Sequence, residues 1–519
     1  MEHTQHFKLP SDFTIGDLDL LLTQSFAFKV NEEFIEQWAF YDTFDWRLFN
    51  KSLLLQKSGP ASILRRLSDG EKIANLESVS TPKFTWDLPD GALKDQLSPV
   101  IDMRALLKIA EIETHNKTFH ILNQYQKTVA RILYTQVGSS TSKQDEQFAA
   151  YLSLVPMRGY PKYARKLEKE LDKLGERSHK WEGIYTYALQ DAGKKPGSYS
   201  SKFYIELDPE IPSVKAAKMI LQHLLAVIRA NEAGIRSDID IEFLHDYRVA
   251  IRRTRSALSQ IRSVFPFDIT TRYKDDFAYL GKFTNTLRDL DVYLLYEGKY
   301  RNMLPDELRS DISPLFDYLR AQREVALRDV IHILDSANYH RTLLDWEAFL
   351  SEPVTEYPEA VNASKPIIDL ASERIYKRYR RVIIDGEKIL ENPQDELMHQ
   401  LRIDCKKLRY LIEFFASLYP SKKVALLVKQ LKDLQDNLGD FNDLSVQQAY
   451  LLSIADALPS SEAHSRRAFI ATGVLIDRLA FQQDIVRAAF AETFQDFASP
   501  ANRELFRRLF SPNKRRKVG

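Results

Sequence analysis

The chain has 519 residues, 44% hydrophobic and 28% charged, enough for two or three domains with ordinary buried cores. With 73 lysines and arginines against 72 acidic residues the net charge is +1, which excludes anion binding by bulk charge and leaves only sites made by sorting charges. No run approaches the roughly 18 to 20 apolar residues that cross a bilayer, Met1 to Ser11 lacks a secretory pattern, and Cys405, the single cysteine, can form no internal disulfide or thiolate cluster, so a reducing, cytoplasmic address is expected, with no membrane and with Cys405 as a core residue.

Residues 1–190 read as an antiparallel β domain. Trp38-Ala39-Phe40-Tyr41, Ser52-Leu53-Leu54-Leu55 and Ile63-Leu64 are short apolar or aromatic segments bounded by Asp, Gly, Pro and Ser. The spacing of Ala164, Leu167, Leu171 and Leu174 predicts a helix that ends at Gly175 and closes the domain. Residues 191–212, with Gly193-Lys194-Lys195-Pro196-Gly197-Ser198, read as a linker. Beyond Ser213 the pattern is helical, with stops at Pro266, Pro305, Pro353 and Pro420, and residues 511–519 form a basic tail. The fold class is therefore α+β and multidomain, a β domain followed by an all-α domain over 213–510.

The helical part contains a repeat. Phe243 to Arg255 (FLHDYRVAIRRTR) aligns without a gap with Leu397 to Arg409 (LMHQLRIDCKKLR) at an offset of 154 residues. His245, Arg248, Arg252, Arg253 and Arg255 coincide with His399, Arg402, Lys406, Lys407 and Arg409. Each copy is followed by a related helix, Leu280–Asp291 and Leu431–Asn442, at an offset of 151, so the unit is longer than one helix and a duplicated bundle is expected.

At about 100° per residue, positions 0, +3, +7 and +10 share an arc of roughly 80°. His245, Arg248, Arg252 and Arg255 therefore form one stripe, and His399, Arg402, Lys406 and Arg409 its twin, each beside an apolar arc that carries Tyr247, Ile251 and Leu258 or Leu401 and Leu408. A solvated face normally interleaves acids one turn away, whereas these stripes contain none apart from Glu413 just beyond the second. Like charges so spaced repel, so the pattern costs stability unless an anion is bound. Guanidinium forks and lysine ammonium groups suit phosphate oxygens. A histidine beside a core is usually a satisfied structural group, and His245 and His399 add affinity only if phosphate keeps them protonated. Lys282, Arg288, Lys429 and Lys432 on the following helices, and Arg374, Lys377, Arg378, Arg380 and Arg381 before the second motif, are secondary candidates, several of them simply solvated.

On these motifs the segment from about 213 to 510 resembles the CHAD family, the conserved-histidine α-helical domain. The resemblance implies two pseudo-symmetric four-helix units, about 213–350 and 364–510, whose stripes line a groove for inorganic polyphosphate, and association with polyphosphate granules. Residues 1–190 resemble a CYTH domain, a triphosphate tunnel barrel, through Phe40-Tyr41-Asp42-Thr43-Phe44-Asp45-Trp46-Arg47-Leu48-Phe49 and, more weakly, Val155 to Tyr160. That family opens with Glu-x-Glu-x-Lys, which holds its metal; here the place reads His6-Phe7-Lys8-Leu9-Pro10. Glu111 and Glu113 alternate as a solvated sheet face would, and a barrel that has lost its chemistry is expected, without catalytic residues, metal or cofactor.

Noncatalytic polyphosphate binding is the leading expectation. A metal-dependent triphosphatase in the barrel, fed by the helical domain, is the alternative. Nucleic-acid backbone binding is the third; single-strand binding by stacking needs exposed aromatics along the stripe, and the aromatics fall on the apolar arc. Lys514-Arg515-Arg516-Lys517 resembles a localisation signal, but such ends are mostly solvated.

Overall fold

The computed structural model describes residues 4–78, 82–139, 149–353, 359–455 and 463–512, and the chain divides into units Met1–Ser200 and Ser201–Gly519. In chain order the first unit comprises β1 (Gln5–Lys8), α1 (Ile15–Ser25), β2 (Ala27–Asp42), β3 (Leu53–Ser58), β4 (Ala61–Arg66), β5 (Lys72–Glu77), α2 (Ala92–Ile101), β6 (Leu107–Leu122), β7 (Thr128–Ser139), β8 (Ala149–Pro156), α3 (Pro161–Leu171), β9 (Glu176–Arg177) and α4 (Lys180–Asp191). The strands form one antiparallel sheet in the order β5-β4-β3-β2-β6-β7-β8-β1-β9.

The resemblance implies a closed barrel; the described strands instead form an open sheet with β5 and the two-residue β9 at its edges. Helices cover both faces of its middle. On one face α1 and α3 seat Leu18, Leu22, Leu167 and Leu171 against Phe119, Ile121, Ile132 and Leu152. On the other, α4 lays Ile184, Tyr185, Ala188 and Leu189 against Trp38, Phe40, Ile112 and Tyr151. Each large apolar side chain so buried contributes about 1.5–3 kcal/mol at most. Gly183 lets α4 come this close, since a methyl group there would overlap the Tyr151 hydroxyl.

The face beneath α4 also buries a polar network. The Lys180 ammonium donates to Thr135 Oγ1 at 2.9 Å and Ser153 Oγ at 3.0 Å, and Thr135 continues the chain to Asn116 Oδ1 at 3.0 Å. His6 Nδ1 lies within hydrogen-bond distance of Ser153 Oγ, at 3.0 Å. Burial, reinforced by Arg65, drives Lys180 down to about 7. The unfolded chain then holds more protons than the folded one from pH 7 up to the ordinary lysine value, so this group's contribution to stability rises with pH across that window. Denaturant unfolding of wild type and Lys180→Met should show the wild type gaining on the variant between about pH 7 and 10; a difference independent of pH contradicts the assignment.

The segment Phe40–Phe49 is spent on a turn. Asp42 Oδ1 accepts the Thr43 and Leu48 N–H groups at 2.7 and 2.9 Å, and Oδ2 accepts that of Phe49 at 2.9 Å. Arg47 donates to Asp45 at 2.9 Å and to the Ile101 carbonyl at 2.8 Å. Glu111 and Glu113 pair outward with Lys108 and His115, both at 3.0 Å.

The second unit is helical: α5 (Ser213–Arg236), α6 (Ile241–Gln260), α7 (Phe267–Lys282), α8 (Asn285–Leu295), α9 (Glu297–Met303), α10 (Ser313–Leu334), α11 (Ala337–Ser351), α12 (Ile367–Glu391), α13 (Asp395–Phe414), α14 (Ser421–Ala455), α15 (Ala463–Phe497) and α16 (Pro500–Phe510). None of its described helices is long and apolar enough to cross a membrane. The duplication is visible in the backbone: Ser213 N–H donates to Lys365 O at 2.9 Å and Ile367 N–H to Ile211 O at 3.0 Å, and both ends of these bonds interchange under the offset of 154. Beyond the four helices expected per copy, α11 packs on α5 and α16 on α12.

Two expectations need correction here. The second helix of the first copy, read as continuous through Leu280–Asp291, is broken at Phe283–Thr284, where Thr284 Oγ1 turns back to the Gly281 carbonyl at 2.9 Å. The end of the expected linker is part of the helical unit, because Phe203 meets His223 and Phe414 edge-on at 5.1 and 5.2 Å and Leu207 is buried. The basic run Lys514–Lys517 lies outside the described residues.

Candidate functional site

The two motifs occupy α6 and α13, which pack against one another. Asp240 caps α6 by accepting the Glu242 and Phe243 N–H groups at 3.0 and 3.3 Å. Tyr247, Ile251 and Leu258, and Leu401, Cys405 and Leu408, are buried, so the apolar arcs anchor both helices and fix where the neighbouring stripes emerge. Burial also pushes the Cys405 thiol well above its usual range.

In the first stripe Arg248 donates to the Thr284 hydroxyl at 2.6 Å and the Gly281 carbonyl at 3.1 Å, at the break between α7 and α8. Arg252 and Arg255 are exposed, and among the described residues their side chains have no ion pair or hydrogen bond. His245 is half-buried. In the second stripe His399 Nδ1 donates to Asn442 Oδ1 at 2.6 Å, Arg402 pairs with Asp443 at 2.9 Å, and Arg409 with Glu413 at 2.7 Å. Lys406 has no such partner among the described residues.

Electrostatics show that the stripes meet. Burial, then Arg402 and Arg252, bring the Lys406 ammonium down to about 8. Burial and Arg252 likewise disfavour the charges of Arg402 and Arg248, against Asp443 and Asp289 respectively. Arg252 on α6 is thus the common neighbour of cations on both helices, and it is the repeat mate of Lys406. An anion placed there is attracted by every member and relieves their repulsion.

If an anion binds beside Lys406, affinity for it should fall as pH rises through about 8, because the ammonium loses its proton above that value. Binding titrations from about pH 7 to 9 should show the fall in wild type and a flatter profile in Lys406→Arg, whose guanidinium stays charged. Identical profiles would remove Lys406 from the site.

Arg253 and Lys407 do not join the groove, because their +8 position turns them about 80° to the other side of the histidine. Arg253 pairs with Glu413 at 2.7 Å, where the two side chains are 12% and 14% exposed, and it lies over Phe203 and Tyr410. Glu413 therefore holds Arg253 of one repeat and Arg409 of the other. Lys407 faces Asp404 at 3.4 Å.

Of the secondary candidates, Arg288 reaches the Ile241 carbonyl at 3.4 Å and lines a cavity of about 580 Å³ with Asp289, Tyr293, Lys299, Asp440 and Asp443. Lys282 and Lys429 are exposed, as is Lys432, which lies 4.0 Å from Asp436. Arg374, Arg378 and Arg381 line a different cleft. Sequence reading missed the acids at the rim, although Asp289 and Asp440 repeat at the same offset of 151.

The sequence profile of the CHAD domain family matches residues 219–452, from within α5 to within α14. The helical unit carries a CHAD domain. An uncharacterized protein of Mycobacterium tuberculosis, found in two strains, is 26% identical over 285 residues, 52% of this chain, and that match spans about half (53%) of the curated relative. The crystal structure of the CHAD domain from the plant Ricinus communis is similar at 25% identity and a TM-score of 0.47, covering 55% of this chain and 94% of that one. PptA from Streptomyces chartreusis is similar at 19% identity and a TM-score of 0.40, covering 55% and 99%. Both motif helices lie inside the CHAD segment.

Proposed function

We propose that the CHAD domain binds inorganic polyphosphate in the groove where α6 and α13 meet, without catalysis, and that this places the protein at polyphosphate granules in the cytoplasm. The observation that carries the reading is the seating of Arg252 beside Arg402 and Lys406. Like charges gathered from two copies of one motif destabilise the fold unless an anion neutralises them. CHAD domains are linked with polyphosphate, whose regularly spaced charges can follow both stripes at once. Asp443 and Glu413 neutralise only Arg402, Arg409 and Arg253, so Arg252, Arg255 and Lys406 are the cations to which ligand binding adds most.

The N-terminal unit, in this reading, derives from a CYTH-type tunnel that no longer processes triphosphate. Glu111 and Glu113 point outward, and the face beneath α4 is occupied by Thr135, Asn116, Ser153 and Lys180. Long-chain polyphosphate should bind the full chain with a steep salt dependence, and incubation with tripolyphosphate and Mg²⁺ or Mn²⁺ should release no phosphate above a metal-free control. Turnover in that assay would replace this reading with the triphosphatase one.

A further inference from the structure

On the side of α13 turned away from the groove, a cleft of about 760 Å³ opens between α12, α13 and the end of α6. Gln400, Asp404 and Lys407, which line it, lie about 150° around the helix from the stripe. Its wall is strongly cationic, with Arg262, Arg374, Lys377, Arg378, Arg380 and Arg381 against two carboxylates, Glu373 and Asp404. The fold accounts for some of these charges. Arg378 is held by Asp404 at 2.8 Å and Gln260 at 2.6 Å, and Arg381 by Asp385 at 2.6 Å. It does not account for others: Lys377 and Arg380 are exposed without an ion pair among the described residues, and Arg374 Nε is buried without a hydrogen-bond acceptor among them. Burial and, to a lesser degree, the neighbouring Arg262 disfavour the charges of Arg374 and Arg378, against Glu373 and Asp404 respectively, so the crowding here is only partly relieved by the fold.

The repeat shows that this cleft is no by-product of duplication. At the offset of 154, Arg374, Lys377, Arg378, Arg380 and Arg381 fall on Ile220, His223, Leu224, Ala226 and Val227 of α5. In the first copy the chain's own Phe203 stands at the corresponding place, on His223 and over Arg253, the counterpart of Lys407. The arginines and lysine of α12 that line the cleft are thus particular to the second copy, and its volume is that of a small-ligand pocket.

We propose that the cleft is a second, discrete phosphate site that takes a compact oligophosphate of the size of tripolyphosphate. Convergent guanidinium forks and a lysine match an ion with several closely spaced oxygens, and Arg374 Nε supplies a donor already desolvated for it. The site is separate from the groove, so either assignment can fail without the other.

Calorimetric titration of the full chain with inorganic tripolyphosphate at fixed salt tests it. Lys377→Glu with Arg380→Glu, both exposed positions that leave the fold intact, should weaken binding by at least about tenfold, and Arg374→Gln similarly. In the Arg252→Glu/Lys406→Glu background, where the groove no longer competes for the ion, tripolyphosphate should still bind, and adding the cleft substitutions should weaken that binding by at least about tenfold. Wild-type affinity in the cleft variants, or loss of binding in the groove variant alone, would overturn the proposal. Equally tight binding of citrate would overturn the assignment to phosphate.

Discussion

Arg252→Glu combined with Lys406→Glu should lower long-chain polyphosphate affinity on the order of a hundredfold or more while leaving the thermal unfolding of the unliganded helical unit at or above that of wild type, because the repulsion among the cations is relieved. Each charge-assisted hydrogen bond to phosphate is worth about 1.5–3 kcal/mol, and charge reversal adds repulsion where attraction stood. Neither side chain has an ion pair or hydrogen bond among the described residues, so little of the fold depends on it. The two mates share one ligand in this account, so single substitutions should not add: the first removed should cost more than the second, with a coupling of about 0.5–3 kcal/mol. The salt slope should fall by about two, one for each phosphate no longer neutralised. Arg253→Gln is the contrasting variant. It breaks the half-buried pair with Glu413 that joins the repeats and should lower stability, while affinity changes little because the side chain faces away from the groove.

Asp42→Ala should destabilise the N-terminal unit by on the order of 3 to 5 kcal/mol, measured by denaturant unfolding, because three N–H groups are deprived of their acceptor in a buried turn. Burial alone would make this carboxyl a liability, and it outweighs those hydrogen bonds enough to raise the group to about 6. Asp42→Asn keeps an acceptor for Thr43 and Leu48 but turns a donor toward Phe49, so an intermediate effect is expected. A neutral Ala variant would mean that the turn is held by its apolar neighbours, Leu48 at its base above all.

How far the sequence reveals the molecule follows from the period of each pattern. The motif helices were legible because stripe and core arc both recur at helical spacing over three turns, and the buried residues are those the spacing names. Strand segments at Trp38–Tyr41, Leu53–Leu55 and Ile63–Leu64 were legible from their bounding turns, but not that the first is the end of a strand of 16 residues, β2. The two covered faces of the sheet were not: α4 mixes Lys180, Gly183 and two tyrosines with its apolar residues, and only the tertiary fold brings them over β6 to β8. Among the site residues, Arg253 and Lys407 coincide between the repeats as the stripe residues do, although their angular position turns them away from the stripe. Asp443 and Asn442 escaped notice because a partner some forty residues distant leaves no local signature. The break at Thr284 depends on Arg248 and Gly281 meeting across helices, which no periodicity records.

Everything about the groove reduces to cations on opposite repeats gripping one chain of phosphates. Titration of the full chain with polyphosphate of defined length at several salt concentrations addresses that directly. With about five participating cations, affinity should drop by on the order of two to three powers of ten between about 50 and about 200 mM salt, and by less in the Arg252/Lys406 double variant. A shallow salt slope, or one that the double variant leaves unchanged, would contradict it.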